Sequence, residues 1–308
     1  MNAPIIVFAY NRPDHLSQTL DALSKNRQAE SSDVFVFIDG PKKENGMPLQ
    51  KVVVSTAKSF ESRFKSMTLN VSEKNKGLAN SIIGGASAII EKYGRAIILE
   101  DDAVTSKSFI EFMNGALDFY ENDPTVWSVG AYIVPIELPE DYKHSVIKTQ
   151  RVSSSAWATW KSRLKKTDWD VSDYKKFLRS PKIRRGFNRW GEDRSSMLDD
   201  QMNGRIDSWA IRFDYSMYKN GMYNIVPLKS LITNIGHDGS GTHTASVSYG
   251  ENPFKASYEE LPESLSFSHI DTDERIRREF IKPYRYSSVN RFRRYFSNAL
   301  MRRKSRSR

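Results

Sequence analysis

The feature that most constrains this chain is a regular alternation, over about its first 120 residues, of short apolar runs with stripes of apolar residues at helical spacing. Ile5, Ile6, Val7, Phe8 and Ala9 form the first run, and Pro13 then opens a helix with Leu16, Leu20 and Leu23 on one face. Residues 34–38 form a second run, stopped by the turn signal Asp39-Gly40-Pro41, and Val53, Ala57, Phe60 and Phe64 follow as a helical stripe. A short strand at 69–71 precedes a stripe of Ile82, Ala86, Ile89 and Tyr93, kept helical despite Gly84-Gly85, each of which weakens a helix by about 1 kcal/mol. A fourth apolar run, 96–99, leads into Glu100-Asp101-Asp102. Ser108 and Glu111 then have the spacing of a capping box for a helix carrying Phe109, Phe112, Met113, Ala116 and Tyr120. Such alternation predicts an α/β fold: a mostly parallel central sheet with right-handed crossovers and helices on both faces.

In sheets of this kind ligands bind beyond the carboxyl ends of the strands. Three polar clusters fall there: Tyr10-Asn11-Arg12, Asp39, and Glu100-Asp101-Asp102. An isolated acidic turn is usually just solvated, but three carboxylates at the end of a buried strand repel one another unless a cation compensates them. A hard divalent ion, Mn²⁺ or Mg²⁺, suits oxygen donors and completes its shell with water and substrate phosphates. Arg12 has the fork to hold phosphate or base oxygens, with a surface salt bridge as the plain alternative. Asp39 can accept from a nucleobase or ribose, or simply shape its turn. Asn75-Lys76-Gly77-Leu78-Ala79-Asn80 leads into a helix, where backbone N–H groups and Lys76 can approach a phosphate, but the Gly-Lys-Ser/Thr spacing of a Walker loop is absent.

Beyond about residue 125 the pattern loosens. A strand is expected at 126–131, no clean period runs through 135–195, and a helix at Trp209–Lys219 and a strand at 223–226 precede the Gly-rich stretch 234–243. The absence of cysteine excludes disulfides, zinc ribbons and thiol nucleophiles. Five scattered histidines lack the pairing of a zinc hydrolase. Trp157, Trp160, Trp169 and Trp190 are more readily read as packing residues than as sugar platforms.

Four segments in order, Ile-Val-Phe-Ala-Tyr-Asn-Arg ending at Arg12, Phe-Ile-Asp-Gly ending at Gly40, Arg-Ala-Ile-Ile-Leu-Glu-Asp-Asp ending at Asp102, and Asp-Pro-Thr-Val-Trp-Ser-Val-Gly-Ala ending at Ala131, resemble the GT-A glycosyltransferases. The likeness is to the N-acetylglucosaminyltransferase I type and its bacterial relatives, and it covers roughly residues 4–245. It implies Asp102 as the metal ligand, with Glu100 and Asp101 facing the donor sugar and ribose. Tyr10, Arg12, Asp39, Lys76, Asn80 and His243 would complete the nucleotide-sugar contacts, His243 from a segment at 239–243 that closes over the diphosphate. Trp157, after Ser155-Ala156, and Trp209 would line the acceptor side. Asp207 resembles the family's catalytic aspartate beside tryptophan, although Ser208 stands where the family has a second Asp, and Asp199-Asp200 is the rival pair. The reaction implied is transfer of a hexosyl or N-acetylhexosaminyl group from a nucleotide-sugar, a UDP-sugar by expectation, with inversion. A sugar-phosphate nucleotidyltransferase is the alternative enzyme, but Ala9-Tyr-Asn-Arg12 lacks the glycines of its first loop. A glycan-binding protein without turnover is the non-enzymatic alternative.

The net charge of +10 is not spread over the chain: thirteen Lys/Arg against one acid, Glu279, lie between Arg275 and Arg308, so that stretch carries +12 and the rest −2. Residues 1–262 are therefore read as the catalytic domain and 263–308 as a basic tail. Phe292, Tyr295, Phe296, Ala299 and Leu300 fall on one face of a helix ringed by arginines, which reads as an anionic-membrane binder over 285–308 rather than a nucleic-acid module. With no export signal and no apolar stretch of about 18 residues, the expectation is a cytoplasmic protein, peripheral on the inner membrane face. Its acceptor would then be a lipid-linked oligosaccharide of a surface polysaccharide.

Overall fold

The computed structural model describes residues 2–238, 254, 256–261 and 266–285. The chain begins with β1 (Ile5–Ala9), α1 (Pro13–Ser24), β2 (Asp33–Ile38), α2 (Met47–Lys58), β3 (Ser66–Val71), α3 (Leu78–Tyr93) and β4 (Arg95–Glu100). Then come β5 (Ala103–Thr105), α4 (Phe109–Tyr120), β6 (Val126–Gly130), β7 (Val146–Thr149), β8 (Ala156–Trp160), α5 (Lys161–Leu164), α6 (Tyr174–Arg179) and α7 (Pro181–Phe187). The described chain closes with α8 (Arg194–Met202), α9 (Trp209–Lys219), β9 (Tyr223–Pro227), β10 (Ile232–Asn234) and α10 (Glu274–Phe280).

Eight strands form one sheet in the order β3-β2-β1-β4-β8-β6-β9-β7. The β3–β2–β1–β4 half is parallel throughout, as is β6–β9, whereas β8 runs antiparallel to both β4 and β6, and β7 to β9. A separate antiparallel pair, β5–β10, sits just past the end of β4. The expected α/β architecture is thus the one found.

Both faces of the sheet are covered, which is why β1 reads as an unbroken apolar run. Ile5, Val7 and Ala9 join Leu16, Leu20 and Leu23 of α1, Val53 and Ala57 of α2, and the α4 residues Phe109, Phe112, Met113 and Ala116. Ile6 and Phe8 point the other way, into Ile82, Ala86 and Ile89 of α3 and Trp209, Phe213 and Met217 of α9. Each fully buried Val, Leu, Ile, Phe or Met side chain among these contributes about 1.5–3 kcal/mol. The two glycines of α3 differ in purpose. A Cβ at Gly85 would come within 2.8 Å of the Phe8 ring, which itself stacks on Phe37, whereas one at Gly84 would meet open space.

Local expectations are corrected in several places. Phe60 and Phe64 lie beyond the end of α2, and Tyr93, on the last turn of α3 before the left-handed Gly94, is 37% exposed. Ser108 does not form a capping box. Glu111 pairs with Arg27 at 3.1 Å, and the α4 N-terminus is capped from a distance by Glu260, which accepts the Lys107 and Ser108 amides. The aperiodic stretch 135–195 holds β7, β8, the short helices α5, α6 and α7, a 3-10 turn at Asn188–Trp190 and the start of α8, elements mostly too short to show a period.

The C-terminal part of the described chain contacts the sheet body. Residues 266–285 pack along it: Phe267 lies 5.6 Å from Phe112, Tyr120 donates to the Ser268 carbonyl, Lys148 donates to that of Ile270, and Phe280 packs on Trp190. The amphipathic pattern at 292–300 and His243 lie outside the described residues. Among the described residues no helix is long and apolar enough to cross a membrane.

Candidate active site

The carboxyl ends of β1, β2 and β4 open on one cavity of about 570 Å³. Tyr10, Asn11 and Arg12 enter it after β1, Asp39 after β2, and Glu100, Asp101 and Asp102 at the end of β4. The turn at 153–155 before β8, Asp207 to Trp209 at the start of α9, Asn234 at the end of β10 and Gly236 just after it complete this part of the wall. Residues up to about 230 positions apart are joined here by sheet topology alone.

The acidic triplet carries its own counter-cation. Arg12 donates to Asp101 and, at 2.9 Å, to Asp102 Oδ2. Burial works against the guanidinium charge, but the two aspartates hold it above its usual range. Burial, reinforced by Asp102 and Asp101, pushes Glu100 up to about 8, and burial raises Asp101 to about 6 against the pull of Arg12. The mutual repulsion expected of three carboxylates is therefore relieved twice, by Arg12 and by keeping a proton on Glu100. Asp102 is fixed further by Asn234, whose amide donates to Asp102 Oδ1 and Ser155 Oγ, both at 3.1 Å, while its own oxygen accepts the Gly236 amide. A Cβ at Gly236 would fall 2.1 Å from Asp102 Oδ2, so glycine is required there for close approach of backbone to carboxylate.

A hard cation is compatible with this donor set on one condition. Among the described residues no group of three or more His, Cys, Asp or Glu forms a metal cage. Asp101 and Asp102 offer only oxygens, the set suited to an ion held by one or two carboxylates that draws its remaining ligands from a diphosphate and water.

Asp39 is an internal tie. Its carboxylate accepts the amides of Gly40, Lys76 and Gly77 and the side-chain amide of Asn75, at 2.9 to 3.2 Å, and so shapes the turn before α3. The Lys76 side chain and Asn80 lie off the cavity; Asn80 returns to the Lys76 carbonyl. Asp207 lines the cavity, and its Oδ2 accepts the Ala79 amide at 3.3 Å, close to the N-terminus of α3, where negative charge is favoured. Its Oδ1 has no hydrogen-bond partner among the described residues. The rival pair is committed elsewhere: Asp199 is 1% exposed in a two-bond pairing with Arg184, and Asp200 pairs with Arg205. Trp157 and Trp209 are 1% and 2% exposed and stack on each other at 4.6 Å. Trp157 is a core residue behind the site, and Trp209 alone of the two reaches the cavity wall.

No family model matches the chain. Solved structures similar to it include TarS of S. aureus, at 14% identity and TM-score 0.46 over 75% of this chain. The chain spans only 36% of that protein's length. The galactosyltransferase LgtC, solved with donor and acceptor sugar analogs, is similar at 9% identity and TM-score 0.37, over 71% of this chain and 72% of its own. A UDP-glucose pyrophosphorylase complexed with UDP-glucose is similar at 8% identity and TM-score 0.38, over 75% and 92%. Likenesses this distant assign no residue a role.

Sequence reasoning missed a second part of the wall: Tyr132, Thr149, Arg151, Val226, Phe254, Phe280 and Tyr284. Arg151 pairs with Asp193 through both nitrogens, at 2.8 and 2.7 Å, and lies over the Tyr284 ring at 3.8 Å. Nothing in a linear reading links residues 42 and 133 positions from Arg151. Asn234 was visible only as the start of a Gly-rich stretch.

Proposed function

We propose that this protein is a GT-A-type glycosyltransferase that moves a sugar from a nucleotide-sugar donor, a UDP-hexose or UDP-N-acetylhexosamine, to a hydroxyl of a glycan acceptor. The observation that carries the reading is the convergence of Arg12, Glu100-Asp101-Asp102 and Asp207 on one cavity of about 570 Å³ at the ligand edge of an α/β sheet.

Each residue then has a task its surroundings suit. Arg12 sits where its remaining donors can take charge growing on the departing diphosphate. Protonated Glu100 can donate a hydrogen bond to a sugar hydroxyl, and ionised Asp101 can accept one from the donor. The turn held by Asp39 presents its backbone and Asn75 to the nucleotide. Asp207, with Oδ1 unengaged, takes the proton of the acceptor hydroxyl as that oxygen attacks the anomeric carbon, which with a single base gives inversion. A Mn²⁺ or Mg²⁺ ion on Asp102, with His243 as a further contact, would supply Lewis-acid stabilisation of the diphosphate. The basic stretch 285–308 would hold the enzyme on an anionic membrane, suiting a lipid-linked oligosaccharide acceptor.

A thermal-shift panel of nucleotide-sugars with Mn²⁺ tests the reading. A UDP-sugar is expected to raise Tm, and Asp102→Ala to abolish that rise. Asp207→Asn should keep donor binding and lose about 10²–10⁴-fold in transfer. Pyrophosphate release from UTP and a sugar 1-phosphate would make the protein a nucleotidyltransferase instead. A UDP-sugar shift that survives Asp102→Ala unchanged would contradict the metal assignment.

A further inference from the structure

Part of the cavity wall is supplied by residues that the donor reading does not use. Phe280 and Tyr284 come from the C-terminal stretch 266–285, which packs back across the sheet, and with Phe254 and Tyr132 they make an aromatic surface beside the strand-end cluster. Phe254 lies 5.2 Å and Phe280 5.6 Å from the Tyr284 ring, in tilted contact. The polar groups of this wall are engaged within the protein. Both terminal nitrogens of Arg151 are spent on Asp193, the Tyr132 hydroxyl donates to the Phe254 carbonyl at 2.7 Å, and Thr149 donates to the Arg151 carbonyl. Because Asp193 neutralises Arg151, the wall offers no net charge to an anion.

A wall that is aromatic, charge-neutral and hydrogen-bonded within itself favours a ligand with one apolar face and a polar rim. A pyranose ring has that shape: its axial C–H face stacks on an aromatic while its hydroxyls remain toward water and the polar part of the same cavity. We infer that this C-terminal aromatic wall is the acceptor subsite, that Tyr284 organises it, and that it selects an uncharged sugar ring over an acidic or phosphorylated one. The inference rests on the proposed glycosyl transfer and identifies the acceptor class for that site.

Two measurements separate its failure from failure of the transfer reading. Saturation-transfer NMR with free methyl glycosides needs no donor. Neutral hexosides and N-acetylhexosaminides should show contact that Tyr284→Ala and Phe254→Ala abolish and Tyr284→Phe keeps, and hexuronides and hexose phosphates should show none. With a donor in hand, Tyr284→Ala should raise the acceptor KM by about tenfold, the size of one aromatic pair lost from the wall that Tyr284 holds together, while the donor Kd stays unchanged. Contact with neutral glycosides that survives both alanine variants, or a preference for charged acceptors, would overturn the subsite. Glycoside contact that follows the expected pattern without any nucleotide-sugar binding would overturn the transferase reading and leave the subsite standing.

Discussion

Arg12 and Asp102 lie 90 positions apart in sequence and meet at 2.9 Å, with Asp101 on the same guanidinium. The β1–β4 pairing brings the two strand ends side by side, so the acidic end of β4 is built against the basic end of β1. Removing Arg12 leaves two buried carboxylates without their partner. Arg12→Ala is expected to lower stability by about 3 kcal/mol, read from urea denaturation. Arg12→Lys should recover only part, because one ammonium cannot serve both aspartates as a fork does. A loss below about 0.5 kcal/mol would show that the pair is not the counter-charge of the site.

Metal binding should depend on nucleotide. With no cage of three ligands among the described residues, Mn²⁺ alone is expected to bind weakly, and adding UDP should tighten it by about tenfold or more as phosphate oxygens join Asp102. Calorimetric titration with and without UDP checks this. Tight Mn²⁺ binding in the absence of nucleotide would point to ligands beyond the aspartates named here.

Stability should fall as pH rises through the neutral range. The folded state holds a proton on Glu100 up to about 8, whereas the unfolded chain releases it near 4.5, so between those values the folded form binds more protons and ∂ΔG/∂pH is negative. The contribution is whole below about pH 4.5 and is lost as pH passes 8. Asp101, raised to about 6, acts in the same direction over the lower part of that window. Tm measured from pH 5 to 9 should decline for the wild type and flatten in Glu100→Gln; parallel curves would remove Glu100 as the source.

The adjacent glycines of α3 should respond oppositely to alanine. Gly84→Ala adds a methyl in open space within a helix and should stabilise by up to about 1 kcal/mol. Gly85→Ala drives a methyl into the Phe8 ring and should cost about 1–3 kcal/mol. Denaturation midpoints of the two variants give the comparison directly.

Asp199 should matter for folding and not for the donor. It accepts from Arg184 and from the Tyr174 hydroxyl in a buried cluster away from the cavity wall. Asp199→Asn is expected to cost about 3–5 kcal/mol without changing the Kd of a nucleotide-sugar measured on the folded variant. A collapse of donor affinity in a stable variant would restore Asp199-Asp200 as a functional pair.

The sequence by itself determined the parallel half of the sheet. Ile5 to Ala9, residues 34–38 and 96–99 are apolar on successive positions because both faces of those strands are covered, and that local pattern needs no long-range information to read. It also located Arg12, Asp39 and Glu100 to Asp102, since the end of a buried run marks the ligand edge, whereas Asp207 was singled out only by the resemblance to GT-A glycosyltransferases. Only the tertiary structure decided what these residues do to one another. Arg12 neutralises the triplet, Asp39 spends its oxygens on the 75–77 turn, and Trp157 turns inward against Trp209 while Lys76 and Asn80 stay outside the cavity. The aromatic wall built around Tyr284 had no linear signature either. A side chain's partners across a sheet are set by strand order and by which segment packs back over it, and single-chain periodicity records neither.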